Sequence, residues 1–134
     1  MERALGVRMK ANKLEDLLVY QRALEGIDAV SPILRELLRC KDYEMHKQLS
    51  ESSGRIPGHI GEGYGQGTDR QFARYLSIAR GSALESRGHI AAAALKYQAI
   101  ARKDEIHASG LYQDLADMLS AFIDYLLRSD FRDR

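Results

Sequence analysis

Apolar side chains recur along most of the chain at alternating steps of three and four residues, the spacing that places them on one face of an α-helix. The first predicted helix has two such stripes side by side. One stripe consists of Leu17, Tyr20, Leu24, Ile27, Ser31, Leu34 and Leu38, with serine as its one polar member. The other consists of Val19, Ala23, Val30, Ile33 and Leu37. Pro32 lies inside this pattern and predicts a kink, because proline lacks a backbone N–H and its ring crowds the preceding turn.

The same spacing continues in three more segments. We expect a second helix after Asp42, a third from Thr68 or Asp69 to Tyr97, and a fourth beginning at Asp104. No segment of useful length shows the two-residue alternation that is typical of a strand. The sequence therefore predicts an all-α fold, an up-and-down antiparallel four-helix bundle with short connections.

The first and fourth predicted helices carry more apolar positions than the interior of one bundle requires. In the fourth helix the additional stripe consists of Tyr112, Leu119 and Leu126. Because large apolar faces are rarely left in water, we expect these additional faces to be buried between copies of the chain. The predicted organisation is a single domain over residues 14–130, preceded by an N-terminal extension over residues 1–13.

Size and composition exclude several classes of protein. The chain has 134 residues, of which 45% are hydrophobic and 29% are charged, so it suits one globular domain rather than a disordered chain or a two-domain enzyme. The one cysteine, Cys40, cannot form an intramolecular disulfide or a thiolate metal site. No apolar run suits a signal peptide or approaches the roughly 18 residues of a membrane span. We therefore expect a cytoplasmic protein.

Glycines are concentrated in one short segment. Six of the eleven lie within residues 54–67, namely Gly54, Gly58, Gly61, Gly63, Gly65 and Gly67. The segment lacks the Lys-Ser or Lys-Thr of a phosphate loop, and no strand precedes it, so a nucleotide site is not expected. Glycine and Pro57 disfavour a helix there, whereas Ile56 and Ile60, four residues apart, favour one. We interpret the first three glycines as close-packing positions in a kinked second helix and the last three as its exit turn.

Charge is balanced in sum but not along the chain. The formal net charge is +1, yet residues 70–103 contain seven basic residues and one acidic residue, a net charge of +6. The basic residues are Arg70, Arg74, Arg80, Arg87, Lys96, Arg102 and Lys103. They suit either a surface for the phosphates of RNA or DNA, or an edge that pairs with the acidic fourth helix. Arg80 and Arg87 flank the apolar stripe and suit pairing, whereas Arg70 and Arg74 point away from it and suit an external anion.

The sequence offers little catalytic chemistry. No spacing of serine, cysteine, histidine and aspartate residues predicts a nucleophilic site, so no catalytic residue is assigned. His59 with Glu62 and Glu85 with His89 could each share a helical face, but they do not complete the ligand set of a di-metal bundle. We predict no metal site and no cofactor.

Three short segments carry a set of motif residues. The first helix contributes Leu18, Val19, Tyr20, Gln21 and Ala23. The second contributes Gln48, Leu49, Ser53, Ile56, Pro57, Ile60, Glu62 and Gly63, and the third contributes Phe72, Tyr75, Leu76, Ile78, Ala79, Gly81, Ser82 and Glu85. Over residues 14 to about 97 the chain thereby resembles the small four-helix-bundle proteins encoded in intervening sequences of bacterial 23S rRNA genes and by free-standing bacterial genes. The chain departs from that pattern at His59, where the family usually has asparagine, and at Gly61, where it usually has alanine.

The resemblance implies a bundle that assembles into a ring, commonly a pentamer, with no established enzymatic activity. Similar bundles serve as accessory proteins of diversity-generating retroelements, in which basic surfaces engage nucleic acid and a reverse transcriptase. Two functions are therefore expected: binding of RNA or DNA by the basic third helix, or a scaffold that docks a protein partner at the glycine-rich end of the ring. The candidate motif and partner-binding residues are Tyr20, Gln21, Arg55, Pro57, His59, Glu62 and Tyr64.

Overall fold

A computed structural model describes residues 13–128 of the chain. After a 3-10 turn at Leu14–Asp16, the helices are α1 (Leu18–Ala29), α2 (Ser31–Arg39), α3 (Tyr43–Tyr64), α4 (Asp69–Lys96) and α5 (Arg102–Arg128). No strand occurs among these residues, so the predicted all-α class is confirmed. Apart from Lys13, the predicted N-terminal extension lies outside the described residues, and so does the C-terminal end of the predicted domain.

The helices α1 and α2 together form the first predicted helix, interrupted at Val30. Pro32 explains the interruption, because it cannot donate the N–H bond that the carbonyl of Asp28 would accept. Helical hydrogen bonds continue on both sides: the Val30 N–H donates to the Gly26 carbonyl at 3.1 Å, and the Val30 carbonyl accepts from the Leu34 N–H at 2.9 Å. Val30 itself keeps right-handed helical angles, with φ −83° and ψ −10°.

A tight turn joins α2 to α3. The Asp42 N–H donates to the Leu37 carbonyl and the Lys41 N–H to the Leu38 carbonyl, both at 2.9 Å, which is the pairing of a Schellman helix end. Lys41 takes the left-handed conformation that this motif requires, with φ 59°. Asp42 then caps α3, because its carboxylate accepts the Met45 N–H at 3.1 Å.

The glycine-rich segment is helical as far as Tyr64, and α3 continues through Pro57. Our assignment of close packing to Gly54 and Gly58 is wrong, because a Cβ at either position would have no atom within 4 Å. Gly63, which we had placed in the exit turn, is the residue in tight contact. A Cβ there would lie 2.8 Å from Tyr75 Cβ and 2.9 Å from Phe72 Cδ1, since Gly63 lies on the face of α3 that meets α4.

The end of α3 does not use the backbone freedom of glycine. Gly65 has φ −78° and ψ −5°, which is right-handed helical geometry open to any residue. The exit turn itself is confirmed, because Gly65 and Gly67 lie in the connection to α4. Thr68 ends this connection and caps α4, with its hydroxyl accepting the Gln71 N–H at 3.2 Å.

The bundle has the predicted up-and-down order. Connections of three, four and five residues join α2 to α3, α3 to α4, and α4 to α5, and links this short make consecutive helices antiparallel neighbours. The most extensive packing is that of α4 against α3 and α5. Helix α1 also packs against α3 and α5. Phe72 lies at the centre, its ring centroid 5.3 Å from that of Phe122 and 6.1 Å from that of Tyr64, both edge-on.

The second stripe of the fourth predicted helix is not left over, contrary to our expectation. Its residues Tyr112, Leu119 and Leu126 are all buried within the single chain. Gly26 makes this possible, because a Cβ there would lie 2.7 Å from the Tyr112 hydroxyl oxygen, so only glycine leaves room for the ring. Burial raises the pKa of Tyr112, and the nearby Ser53 hydroxyl opposes that rise.

The first predicted helix does leave an apolar face in solvent. Leu24 and Leu38 are each 46% exposed and Ile27 is 40% exposed, and half-buried Tyr20, before Leu24, and Leu34, before Leu38, continue the same spacing. We call these five residues the outer stripe. Along residues 13–128, none of the helices is sufficiently long and apolar to traverse a lipid bilayer.

The contrast among the glycines of α3 gives a stability prediction. Replacing Gly63 by alanine should lower the free energy of unfolding by about 1–3 kcal/mol, because the new methyl group is forced against Phe72 and Tyr75. Replacing Gly54 or Gly58 by alanine should instead raise it by about 0.5–1 kcal/mol, because alanine favours the helix and meets nothing. Urea denaturation followed by circular dichroism measures the free energy of unfolding of all three variants. Equal effects at the three positions would contradict the placement of Gly63 at the α3–α4 contact.

Candidate nucleic-acid interface

Arg70 and Arg74 occupy the first turns of α4, one helical turn apart. Both side chains are exposed, and within residues 13–128 neither makes an ion pair or a side-chain hydrogen bond. Their spacing of four residues corresponds to about 6 Å along the helix axis. Two free guanidinium groups at this separation can contact neighbouring phosphates, because guanidinium matches phosphate oxygens in a bidentate way.

Arg80 and Arg87 instead face α5, as expected for the residues that flank the apolar stripe. Arg80 donates to the Ser120 hydroxyl at 3.2 Å and Arg87 donates to the Gln113 side-chain oxygen at 2.5 Å. Both acceptors are neutral. These bonds help to hold α4 against α5, and they leave the positive charges of the two arginines without compensation from their partners.

Lys96, at the opposite end of α4, is bonded to another part of the fold. Its Nζ donates to the Asp42 carboxylate at 2.9 Å, and the Tyr97 hydroxyl donates to the same oxygen at 2.5 Å. The Asp42 side chain is only 10% exposed. The Tyr97 hydroxyl, then Lys96 and the Met45 N–H, lower the pKa of Asp42 to about 2. This cluster joins the α2–α3 turn to the end of α4, so Lys96 is less available to a ligand than its sequence position indicates.

Arg102 and Lys103 begin α5, far from Arg70 and Arg74. The 28 residues of α4 span about 42 Å at 1.5 Å per residue, so the seven basic residues do not form one compact patch. Arg102 lies 3.7 Å from Glu105 and its side chain is 81% exposed, whereas Lys103 is exposed and has no ion pair among the described residues. The structure therefore separates Arg70 and Arg74, which are unbonded at the start of α4, from the residues whose side chains are bonded or ion-paired, Arg80, Arg87, Lys96 and Arg102.

The motif residues of the first helix lie close to the start of the bundle. Gln21 donates through its side-chain amide to the Glu15 carbonyl at 2.7 Å, which ties the 3-10 turn to α1. Tyr20 is half-buried and packs against the core. These contacts give Gln21 a structural role, and they place Tyr20 on the outer stripe.

Three of the predicted partner-binding residues share one face of α3. Arg55, His59 and Glu62 are spaced by four and three residues, which places them on the same side of a helix. Arg55 makes an ion pair with Glu85 of α4 at 3.0 Å, and His59 Nδ1 lies 3.4 Å from the Glu62 carboxylate. The structure thus brings these three side chains to one surface, whereas half-buried Pro57 lies about 200° around α3 from Arg55 and so on a different side.

Tyr64 has a different role from the one its glycine-rich surroundings indicate. Its ring packs edge-on against Phe72 and belongs to the margin of the core. Glu85 links two helices: one carboxylate oxygen accepts from Arg55 and the other lies 3.4 Å from His89 Nε2. Its position opposite Arg55 depends on the register of α3 against α4, which helical spacing alone does not fix.

A groove between α4 and α5 is a second feature that the sequence analysis missed. It encloses about 480 Å³, and its floor and rim are formed by Leu84, Arg87, Gly88, Ala91, Arg102, Glu105, Ile106 and Ser109. Leu84 is 46% and Ile106 is 57% exposed. Leu84 and Ala91 are seven residues apart, a helical spacing that could have marked one wall, but the other wall comes from a different helix. We call this set of residues the α4–α5 groove.

The described part of the chain contains no group of three or more histidine, cysteine, aspartate or glutamate side chains that could hold a metal ion. The pair with the best spacing, Glu85 and His89, already shares the carboxylate with Arg55. The polar chemistry of this surface is therefore hydrogen bonding and ion pairing between α3 and α4.

The Asp42 cluster gives a pH prediction. Because the folded-state pKa of Asp42, about 2, lies below its ordinary value of 3.8, its carboxylate stabilises the fold above about pH 4, and that contribution is lost as the pH falls from about 4 to about 2. Replacing Asp42 by asparagine keeps a capping side chain but removes the charge. The variant should melt at a lower temperature than the unaltered protein at pH 6, and the two should converge near pH 2.

Glu51→Gln is the matched control for this comparison, because Glu51 is an exposed carboxylate on the same helix. We expect its melting temperature to follow that of the unaltered protein throughout the titration. A difference between Asp42→Asn and the unaltered protein that stays constant down to pH 2 would contradict the assigned role of the charge.

Comparison with known families identifies the family of this chain. The profile of the family described as 23S rRNA-intervening sequence protein matches residues 15–121, a segment that includes α1 to α4 and most of α5. No curated protein and no solved structure gives a significant match. Because the family profile covers well over half of a 134-residue chain, this protein belongs to the 23S rRNA-intervening sequence protein family.

Proposed function

We propose that this protein is a non-catalytic bundle that self-associates into a ring, with five copies as the family resemblance implies, and binds RNA or DNA. The observation that carries the binding proposal is the state of Arg70 and Arg74. Both are exposed and unbonded within the described residues, whereas Arg80, Arg87 and Lys96 are engaged inside the bundle. Arg70 and Arg74 are therefore the residues assigned to phosphate contact.

Self-association supports this function through repetition. One pair of arginines neutralises few phosphates, and a single copy would bind nucleic acid weakly at physiological salt. In a ring each copy contributes its own pair, so several weak contacts act on one strand at a high effective concentration. The exposed apolar residues of the outer stripe support self-association, since burying them between copies is favourable.

A salt titration tests the binding proposal. We expect the affinity for a single-stranded RNA or DNA oligonucleotide, measured by fluorescence anisotropy, to fall as salt rises. The double variant Arg70→Glu/Arg74→Glu should bind more weakly and reduce the slope of log affinity against log salt by about 1.4 for each copy that contacts the strand, about 0.7 for each lost phosphate contact.

The matched control reverses two other exposed basic residues, Lys41→Glu/Lys47→Glu, which changes the net charge equally. It should leave the salt slope close to that of the unaltered protein. An unaltered protein that binds neither oligonucleotide at low salt would refute nucleic-acid binding. An equal loss in both double variants would show that overall charge, rather than the start of α4, is responsible.

A protein-interaction scaffold is the second candidate. It is favoured by the bare surface of α3 around Arg55, where Gly54 and Gly58 are exposed and a Cβ would meet no atom within 4 Å. A partner could approach the helix backbone closely there, beside His59 and Glu62. The variant Arg70→Glu/Arg74→Glu separates the two candidates, because docking at the α3 surface should survive it.

A further inference from the structure

We infer that the outer stripe of one copy seats in the α4–α5 groove of the next copy. The inference rests on the proposed self-association and names the two surfaces that make it. Leu24, Ile27 and Leu38 form an aliphatic ridge along α1 and α2, each between 40% and 46% exposed. A ridge of this kind on an amphipathic helix is suited to a groove between two other helices.

The groove has the complementary shape. Its lining includes two small residues, Gly88 and Ala91, and two larger apolar ones, Leu84 and Ile106. A Cβ at Gly88 would meet nothing within 4 Å in the single chain. Small residues on a helix surface allow another helix to approach closely, so a second helix can fill space that no residue of the same copy fills.

The two surfaces lie on different sides of the molecule. Gly26 faces α5, because it contacts the ring of Tyr112. Ile27 and Leu24 lie about 100° and 160° around α1 from Gly26 at 100° per residue, so the outer stripe turns away from α5. The stripe of one copy therefore cannot reach the groove of the same copy. Contact between two different surfaces repeats head to tail and forms a ring when the rotation between neighbouring copies closes, whereas a surface that pairs with itself stops at a dimer.

Charges at the margins of the two surfaces are complementary. Asp28 follows Ile27, is exposed, and makes no ion pair among residues 13–128. At the groove rim, Arg87 is bonded to the neutral Gln113, so its charge is available to a carboxylate. Farther along, Arg35 lies at the α2 end of the stripe and Glu105 lies on the groove rim. Asp28 opposite Arg87 is thus the charge pair that the contact offers, because the Glu105 carboxylate already lies 3.7 Å from Arg102 of its own copy.

Two single variants, each of which removes one half of the contact, provide the test. Leu24→Asp damages the stripe and leaves the groove intact, while Ile106→Asp damages the groove and leaves the stripe intact. Because both positions are largely exposed in the single chain, the variants should keep the helical circular dichroism spectrum. An unpaired carboxylate in an apolar contact is strongly unfavourable, so each variant alone should be monomeric by light scattering at micromolar concentration. Should either aspartate variant fail to fold, the milder pair Leu24→Ser and Ile106→Ser replaces it.

Mixing the two variants is the decisive step. The stripe of the Ile106→Asp chain is intact and so is the groove of the Leu24→Asp chain, so the mixture should form a dimer with one chain of each kind and no larger species. The matched control is Ile78→Asp, whose exposure of 42% is similar but which lies on neither surface; it should assemble like the unaltered protein.

The outcomes separate this inference from the proposed function. An unaltered protein that is itself monomeric would refute self-association, and this inference with it. Assembly that persists in both variants would place the contact elsewhere and overturn the inference alone. If Leu24→Asp is monomeric while Ile106→Asp still assembles, and mixing the two restores nothing, the stripe pairs with itself. That result also overturns the inference.

Discussion

The close approach of α3 to the start of α4 at Gly63 is the contact on which the bundle depends. The connection between the two helices has four residues, so the chain must reverse at once, and the missing side chain of Gly63 lets Phe72 and Tyr75 lie against the α3 backbone. Phe72 then meets Tyr64 on one side and Phe122 on the other, which fixes α5 relative to both helices. Farther along the same contact, the buried hydroxyls of Ser52 and Ser86 are 2.8 Å apart, so small side chains keep α3 and α4 close over several turns.

A second close approach decides which apolar residues remain for a partner. Because Gly26 admits the Tyr112 ring, α5 buries both of its stripes and the core of one copy is complete. The outer stripe of α1 and α2 and the α4–α5 groove then remain among the exposed apolar surfaces, besides single exposed residues such as Tyr43, Ile78 and Leu95. Exposed leucine and isoleucine side chains at helical spacing are unfavourable in water, so the way the core is filled leads directly to the proposed association of copies.

Helical spacing was sufficient to predict the bundle and the ends of α4, because these depend on residues close together in the chain. It also separated Arg70 and Arg74 from Arg80 and Arg87 correctly, since direction around a helix follows from residue number. Contacts between distant parts of the chain could not be predicted. Asp42 and Lys96 are far apart in sequence, and their contact depends on how α3 and α4 are aligned. The prediction of which glycines pack closely was wrong for the same reason. Gly63 faces α4 and Gly58 does not, and this difference depends on how the two helices are aligned.

We propose that one bundle leaves apolar surface that further copies cover in a closed ring. Native mass spectrometry of the unaltered protein measures this most directly, because it counts the copies in each species. We expect one dominant species of five copies, with a mass five times the 15.1 kDa of the chain, and no series of oligomers of increasing size. A dominant monomer, or an open ladder of oligomers without a preferred size, would contradict it.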